Sequence, residues 1–103
     1  MAKFLLSWTF RSGGSAQQTH EDGKKLLDLF AKWSPPADET FHEFLARIDG
    51  QGGYAVISTD NVNGIAEGLA PFTPWLDYGL VPVMEIADGV AFVAAAAQMR
   101  DSI

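Results

Sequence analysis

The first apolar segment of the chain has large side chains on one face and a mixture on the other. In an extended chain, Phe4, Leu6, Trp8 and Phe10 share one face, whereas the intervening residues are one leucine and two hydroxyl residues. The Gly and Ser residues of RSGGSA follow, so the pattern predicts a strand over residues 3–10 rather than a secretory signal. The second face is only half polar, so its apolar part must be shielded from water by other residues.

The apolar residues that follow this strand have the spacing of a helix. Ser15 and Gln18 resemble a capping box, and Leu26, Phe30 and Trp33 form an apolar stripe that ends at Ser-Pro-Pro. The pattern predicts a helix that is weakened in the middle by a glycine.

Two apolar segments, residues 39–49 and 54–60, flank Gly-Gln-Gly-Gly and predict a β-hairpin. Pairing Gly50 with Gly53 would place Ala46 opposite Ile57 and give one apolar face. His42 would share that face, at the rim of the apolar layer.

The remaining chain predicts a short helix, a fourth strand and a final helix. Asp60 is the expected cap of the short helix, with Val62, Ile65 and Leu69 facing inward. The fourth strand is expected over residues 80–86, and an alanine-rich helix follows it. Either face of that strand could point inward.

The resulting order is β-α-β-β-α-β plus a C-terminal helix, in one domain over residues 1–103. It predicts an α+β, ferredoxin-like fold with a four-stranded antiparallel sheet and helices on one face. The open face would carry Leu5, Leu45 and Val56, with Val81 and Val83 as further candidates. Because so large an apolar area is rarely left in water, we expect a homodimer formed through the sheet face.

Composition excludes several classes of partner. The formal net charge of −6 disfavours nucleic acid and anionic membrane surfaces, and no apolar run is long enough to span a bilayer. The absence of cysteine excludes disulfides and thiolate-bound metals and fits a cytoplasmic protein.

Several of these segments resemble the dimeric α+β barrel superfamily, in particular small bacterial members of unknown function. The resemblance rests on the strand order, the opening Lys-Phe-Leu-Leu-Ser-Trp-Thr-Phe, the Trp-Leu-Asp-Tyr of residues 75–78 and the Val-Pro-Val of residues 81–83. It implies two sheets that form a barrel with helices outside. Members of the superfamily include cofactor-free monooxygenases, haem-degrading enzymes, isomerases and proteins of no known activity, so the fold implies a dimer and a pocket more firmly than a reaction.

His20 and His42 are the candidate catalytic residues. His20 falls on the helix stripe and could act as a base near neutral pH or orient a ligand, although a partly buried structural histidine is the simpler interpretation. The two histidines lack the i, i+4 spacing and the carboxylates of a metal site, so we expect no metal and no cofactor.

The candidate ligand-binding residues are Trp8, His20, Trp75, Tyr78 and Arg47. Trp75 and Tyr78 are expected on a loop, where binding sites concentrate. Arg47 could bind a carboxylate, but an ion pair with Glu43 or Glu85 is the structural alternative. RSGGSA matches neither the dinucleotide fingerprint nor the P-loop.

These residues predict a homodimer that binds a small apolar or amphipathic ligand, fatty-acid-like or polyketide-like, between sheet and helices. The alternative is a cofactor-free monooxygenase or isomerase acting on such a compound. A closed structural dimer is a third hypothesis.

Overall fold

A computed structural model describes residues 1–11 and 14–103. Seven main elements follow one another, with a 3₁₀ turn at Ala70–Phe72 after the second helix: β1 (Ala2–Phe10), α1 (Ala16–Lys32), β2 (Glu39–Ala46), β3 (Gly52–Thr59), α2 (Val62–Leu69), β4 (Leu76–Val83) and α3 (Ile86–Ser102). The four strands form one antiparallel sheet in the order β2-β3-β1-β4. The α+β fold class and the predicted element order are confirmed.

The central strand β1 divides its side chains between the two faces of the sheet as predicted. Its register places Leu6 beside Ala55 on β3 and Leu80 on β4, which puts these residues on the helix-bearing face. Leu5 lies beside Val56 and Val81 on the opposite, open face. The same register settles the orientation of β4, whose Val81 and Val83 belong to the open face.

The hairpin pairs in a different register from the predicted one. Phe44 lies opposite Ala55 and Ala46 opposite Gly53, and a β-bulge lies between Phe41 and Glu43. The expected Ala46–Ile57 pair is therefore wrong, because the turn takes up more of the chain than the four residues assumed. A turn in which Asp49 accepts a hydrogen bond from the backbone N–H of Gln51 at 3.0 Å occupies that extra length.

α1 begins where the sequence predicts. Ser15 Oγ accepts a hydrogen bond from the backbone N–H of Gln18 at 3.1 Å, which satisfies one of the free donors at the helix start. The helix runs through Gly23 without a break and ends at Trp33, before the two prolines.

Two boundaries later in the chain differ from the prediction. The N-cap of α2 is Asn61 rather than Asp60, and Val62 is exposed, while Ile65 is buried and Leu69 packs against the core. β4 begins at Leu76, four residues earlier than expected, because Leu76 to Gly79 pair with Phe10 to Ser7 of β1.

The core is small. Leu6, Ala55, Ile57 and Ile65 are buried together between the sheet and α2. α1 has no buried residue, and it contributes little to this cluster. Space therefore remains between α1 and the sheet.

α3 projects from the rest of the molecule. It packs extensively against no other described element, and Val90, Phe92, Val93 and Met99 are exposed. The radius of gyration is 18.0 Å and the longest dimension is 62 Å, whereas a compact chain of this size has a radius near 13 Å. α3 is thus an apolar arm without a partner in its own described chain.

Candidate ligand-binding cavity

A cavity of about 440 Å³ lies between α1 and the helix-bearing face of the sheet. Leu6, Trp8 and Ile57 line it from the sheet, Leu26 and Phe30 line it from α1, and Ile65 lines it from α2. Small-molecule sites in proteins generally measure roughly 300–1,000 Å³ and have mostly apolar walls. Its size and chemistry fit a ligand site.

Aromatic rings hold α1 away from the sheet. The ring centroid of Phe30 lies 5.8 Å from those of Trp33 and Phe44, and Phe44 lies 5.7 Å from Trp8 on β1. Phe41 extends the cluster, with its ring 5.3 Å from that of Phe44. These separations are typical of packed aromatic pairs, so the rings form one side wall of the cavity.

Gly53 leaves room for the indole of Trp8 in this wall. A Cβ on Gly53 would come within 2.4 Å of Trp8 Cζ2 and within 2.4 Å of the Leu45 backbone carbonyl oxygen. Since real Cβ atoms do not approach other heavy atoms this closely, only glycine fits. The sequence signal is the third glycine of Gly-Gln-Gly-Gly, whose close-packing role the pattern alone does not reveal.

Charged groups lie at both ends of the cavity. Arg11 follows β1 at one end and its Nε donates to Asp77 Oδ1 at 2.8 Å. Glu39 begins β2 at the other end, where it pairs in the sheet with Thr59. Asp22, on α1, accepts a hydrogen bond from Gln18 Nε2 at 2.9 Å.

Glu39 differs from the other two charged groups. Its Oε2 is shielded from solvent and has no hydrogen-bond partner among the described residues. Burial raises the pKa of Glu39 above its ordinary value of 4.5, and the negative charge of Asp38 raises it further. Nothing in the sequence marks this residue, because a glutamate at the start of a strand gives no sign that it is shielded.

Two of the sequence-predicted ligand residues line the cavity. Trp8 lies on its sheet wall, and Trp75 contributes from the segment before β4. Tyr78 does not line it. The expected loop position of Tyr78 is wrong, because the residue belongs to β4, where it pairs with Trp8 and is partly exposed.

The two histidines lie outside the cavity. His20 is exposed on α1 and is absent from the cavity lining, so the helix stripe predicted the wrong orientation for it. His42 does not share a face with Phe44, because the bulge turns it towards the open face. There its Nε2 lies 2.7 Å from Ser58 Oγ, at hydrogen-bond distance.

The ion pairs on the open side also differ from those expected. Arg47 Nη2 donates to Asp49 Oδ2 at 2.5 Å, within the hairpin turn, rather than to Glu43 or Glu85. Glu85 pairs with Lys3 instead, and the hydrogen bond from Lys3 lowers the pKa of Glu85. Arg47 does not line the cavity.

Among residues 1–11 and 14–103, no three His, Asp or Glu side chains are arranged to hold a metal ion. Ser12 and Gly13 of RSGGSA lie outside these ranges, so the segment considered for anion binding is only partly described. Nor does any helix of the described chain combine the length and the apolar character that crossing a membrane requires.

The fold and cavity define a small α+β protein with a candidate site between sheet and helix. Residues 2–97 match the family described as a domain of unknown function (DUF3303), and the chain belongs to this family. No curated protein shows significant similarity. A solved structure, At3g17210 from Arabidopsis thaliana, is 16% identical over 82% of this chain and 95% of that chain, with a TM-score of 0.35. So low a TM-score supports no assignment.

Proposed function

We propose that this protein binds a small, mostly apolar molecule that carries few polar groups, in the cavity between α1 and the sheet. The observation that carries the proposal is the cavity of about 440 Å³ with its aromatic side wall. Aromatic and aliphatic walls favour alkyl chains and fused rings, and sparse polar groups orient the ligand. Fatty-acid-like and polyketide-like compounds share this amphipathic character.

α1 provides a route into the cavity. It has no buried residue, and its main contacts run through the aromatic side wall and the 3₁₀ turn. An element with so few buried contacts opens at low free-energy cost. A ligand that fills the space would tie α1 to the sheet and would thereby stabilise the folded protein.

The proposal includes a homodimer of the dimeric α+β barrel type. The open face of the sheet carries Leu5, Leu45, Tyr54, Val56 and Val81, and three of these, Leu45, Tyr54 and Val81, are exposed. The projecting α3 adds further exposed apolar area. A second copy that packs sheet against sheet would cover the face, and α3 could lie across that copy.

The geometry favours binding over the alternative of a cofactor-free monooxygenase or isomerase. That hypothesis assigned proton transfer to His20 or His42, and neither lines the cavity. A general base must lie within hydrogen-bond reach of the proton that it removes. Oxygen uptake with an anthrone substrate that disappears in His20→Ala would contradict this preference.

Gly23 offers a direct test of binding. It lines the cavity from α1, and a Cβ placed on it meets no atom within 4 Å. Gly23→Phe should fill the space, whereas Gly23→Ala adds one methyl group and serves as the matched control. We expect decanol and 2-naphthol to raise the melting temperature of wild type and Gly23→Ala but not of Gly23→Phe.

Native mass spectrometry of freshly purified protein should show a bound small molecule in the wild type and none in Gly23→Phe. Absence of any mass excess, together with no thermal shift for either probe, would contradict the proposed function.

A further inference from the structure

We propose that Glu39 is the polar anchor of the cavity and that it selects ligands carrying a hydroxyl group, an alcohol or a phenol, over ligands carrying a carboxylate. The inference rests on the proposed function and names the chemical class of its ligand.

Three charged side chains of the described residues line the cavity, and two of them have partners. Arg11 donates to Asp77 at 2.8 Å, and Asp22 accepts from Gln18 at 2.9 Å. Glu39 Oε2 is shielded from solvent without a partner among the described residues. Because a shielded polar atom without a hydrogen bond is costly, the carboxylate of Glu39 gains by turning into the cavity towards a ligand that supplies one.

The shielded oxygen of Glu39 lies beside α2. The Glu39 side chain is half-buried and faces the first turn of α2, where a Cβ on Gly64 would come within 3.5 Å of Oε2. The nearby walls are Phe41, Ile57 and Ile65. A ligand whose apolar part lies along these walls would bring its polar end to Glu39.

A hydroxyl group on the ligand suits Glu39 in either protonation state. A hydroxyl can donate a hydrogen bond to an ionised Glu39 and can accept one from a protonated Glu39, so it fits both forms. A carboxylate can only accept, so it finds no donor in an ionised Glu39 and is repelled by its negative charge. Among the described lining residues the cationic side chain is Arg11, which is paired with Asp77 and lies at the opposite end of the cavity from Glu39.

Three probes with the same alkyl chain separate the possibilities: 1-decanol, decanoic acid and decylamine. Trp8, Trp33 and Trp75 all line the cavity, so tryptophan fluorescence reports binding. At pH 8 we expect wild type to bind decanol about tenfold more tightly than decanoate, the factor that corresponds to one hydrogen bond.

The variant Glu39→Leu should lose this preference by weakening decanol binding about tenfold. Glu43→Leu is the matched control, since Glu43 lies on the same strand but opposite Val56 on the open face, and it should leave the preference unchanged. Glu39→Gln, which still donates and accepts, should retain decanol binding.

Equal binding of decanol and decanoate by wild type would overturn the assignment of Glu39 while leaving the cavity proposal intact. So would tighter binding of decylamine than decanol, or equal losses in Glu39→Leu and Glu43→Leu. If no probe binds and Gly23→Phe behaves like wild type towards all of them, the proposed function fails as well.

Discussion

Single residues decide how the cavity is shaped, and glycine is the clearest case. Gly53 leaves room for the indole of Trp8, and Gly23 leaves open space beside α1. Neither role is visible in a pattern of apolar and polar positions. The sequence singled out Trp8 and Trp75, which line the candidate cavity, because large aromatic side chains are distinctive, but it could not locate the glycine positions that leave space.

The variant Gly53→Ala should destabilise the protein by about 1–3 kcal/mol, because its methyl group would overlap the Trp8 ring and the Leu45 carbonyl. Urea unfolding followed by circular dichroism measures the change. Gly79→Ala on β4 is the control, since its Cβ would meet Ser7 Oγ at 3.4 Å, an ordinary contact. Equal effects of the two substitutions would contradict the role of Gly53.

The pKa of Glu39 predicts a dependence of stability on pH. Because the pKa of Glu39 is raised in the folded state, ionisation is harder there than in the unfolded chain. The free energy of unfolding of wild type should therefore fall relative to that of Glu39→Gln as the pH rises. The fall should begin near 4.5, the ordinary pKa of a glutamate, and end above the raised pKa of the folded state. Below pH 4.5 the difference should be constant.

Thermal unfolding of both proteins between pH 3.5 and 8 measures this difference. A constant difference between wild type and Glu39→Gln across the whole range would show that the Glu39 carboxyl is not shielded.

At the scale of elements, most of the fold was predictable and the exceptions have physical causes. Alternation identified the strands, and capping and proline identified the ends of α1. The bulge in β2 was missed because period-two patterns assume uninterrupted pairing, and it moved His42 to the other face. The start of β4 was missed because Trp-Leu-Asp-Tyr lies between prolines and resembles a loop until β1 pairs with it.

The element that most needs a partner is α3. Most of the stability of a helix in a protein comes from tertiary packing, and the exposed Val90, Phe92 and Val93 make this one poorly suited to solvent. We expect amides of residues 86–102 to be protected from hydrogen exchange in the dimer and to exchange quickly in a monomeric variant. Equal protection in both would mean that α3 is stabilised within its own subunit.

The whole molecule has more apolar surface than one subunit covers, so light scattering should return a particle of twice 11.1 kDa. Val81→Glu, on the open face, should give a monomer because the substitution would bury a charge between the sheets. Val62→Glu is the control, since Val62 is exposed on α2 and away from that face. A wild-type particle of 11.1 kDa at micromolar concentration would contradict the dimer.

The outer strands of the sheet limit how copies can join. β2 is interrupted by the bulge at His42, and Pro82 of β4 has no backbone N–H to offer a neighbour. Both flanks are therefore poor templates for adding another strand, which is the route by which sheets grow into fibrils. A protein with such edge strands can offer an apolar sheet face to a second copy of itself and still resist polymerising into amyloid.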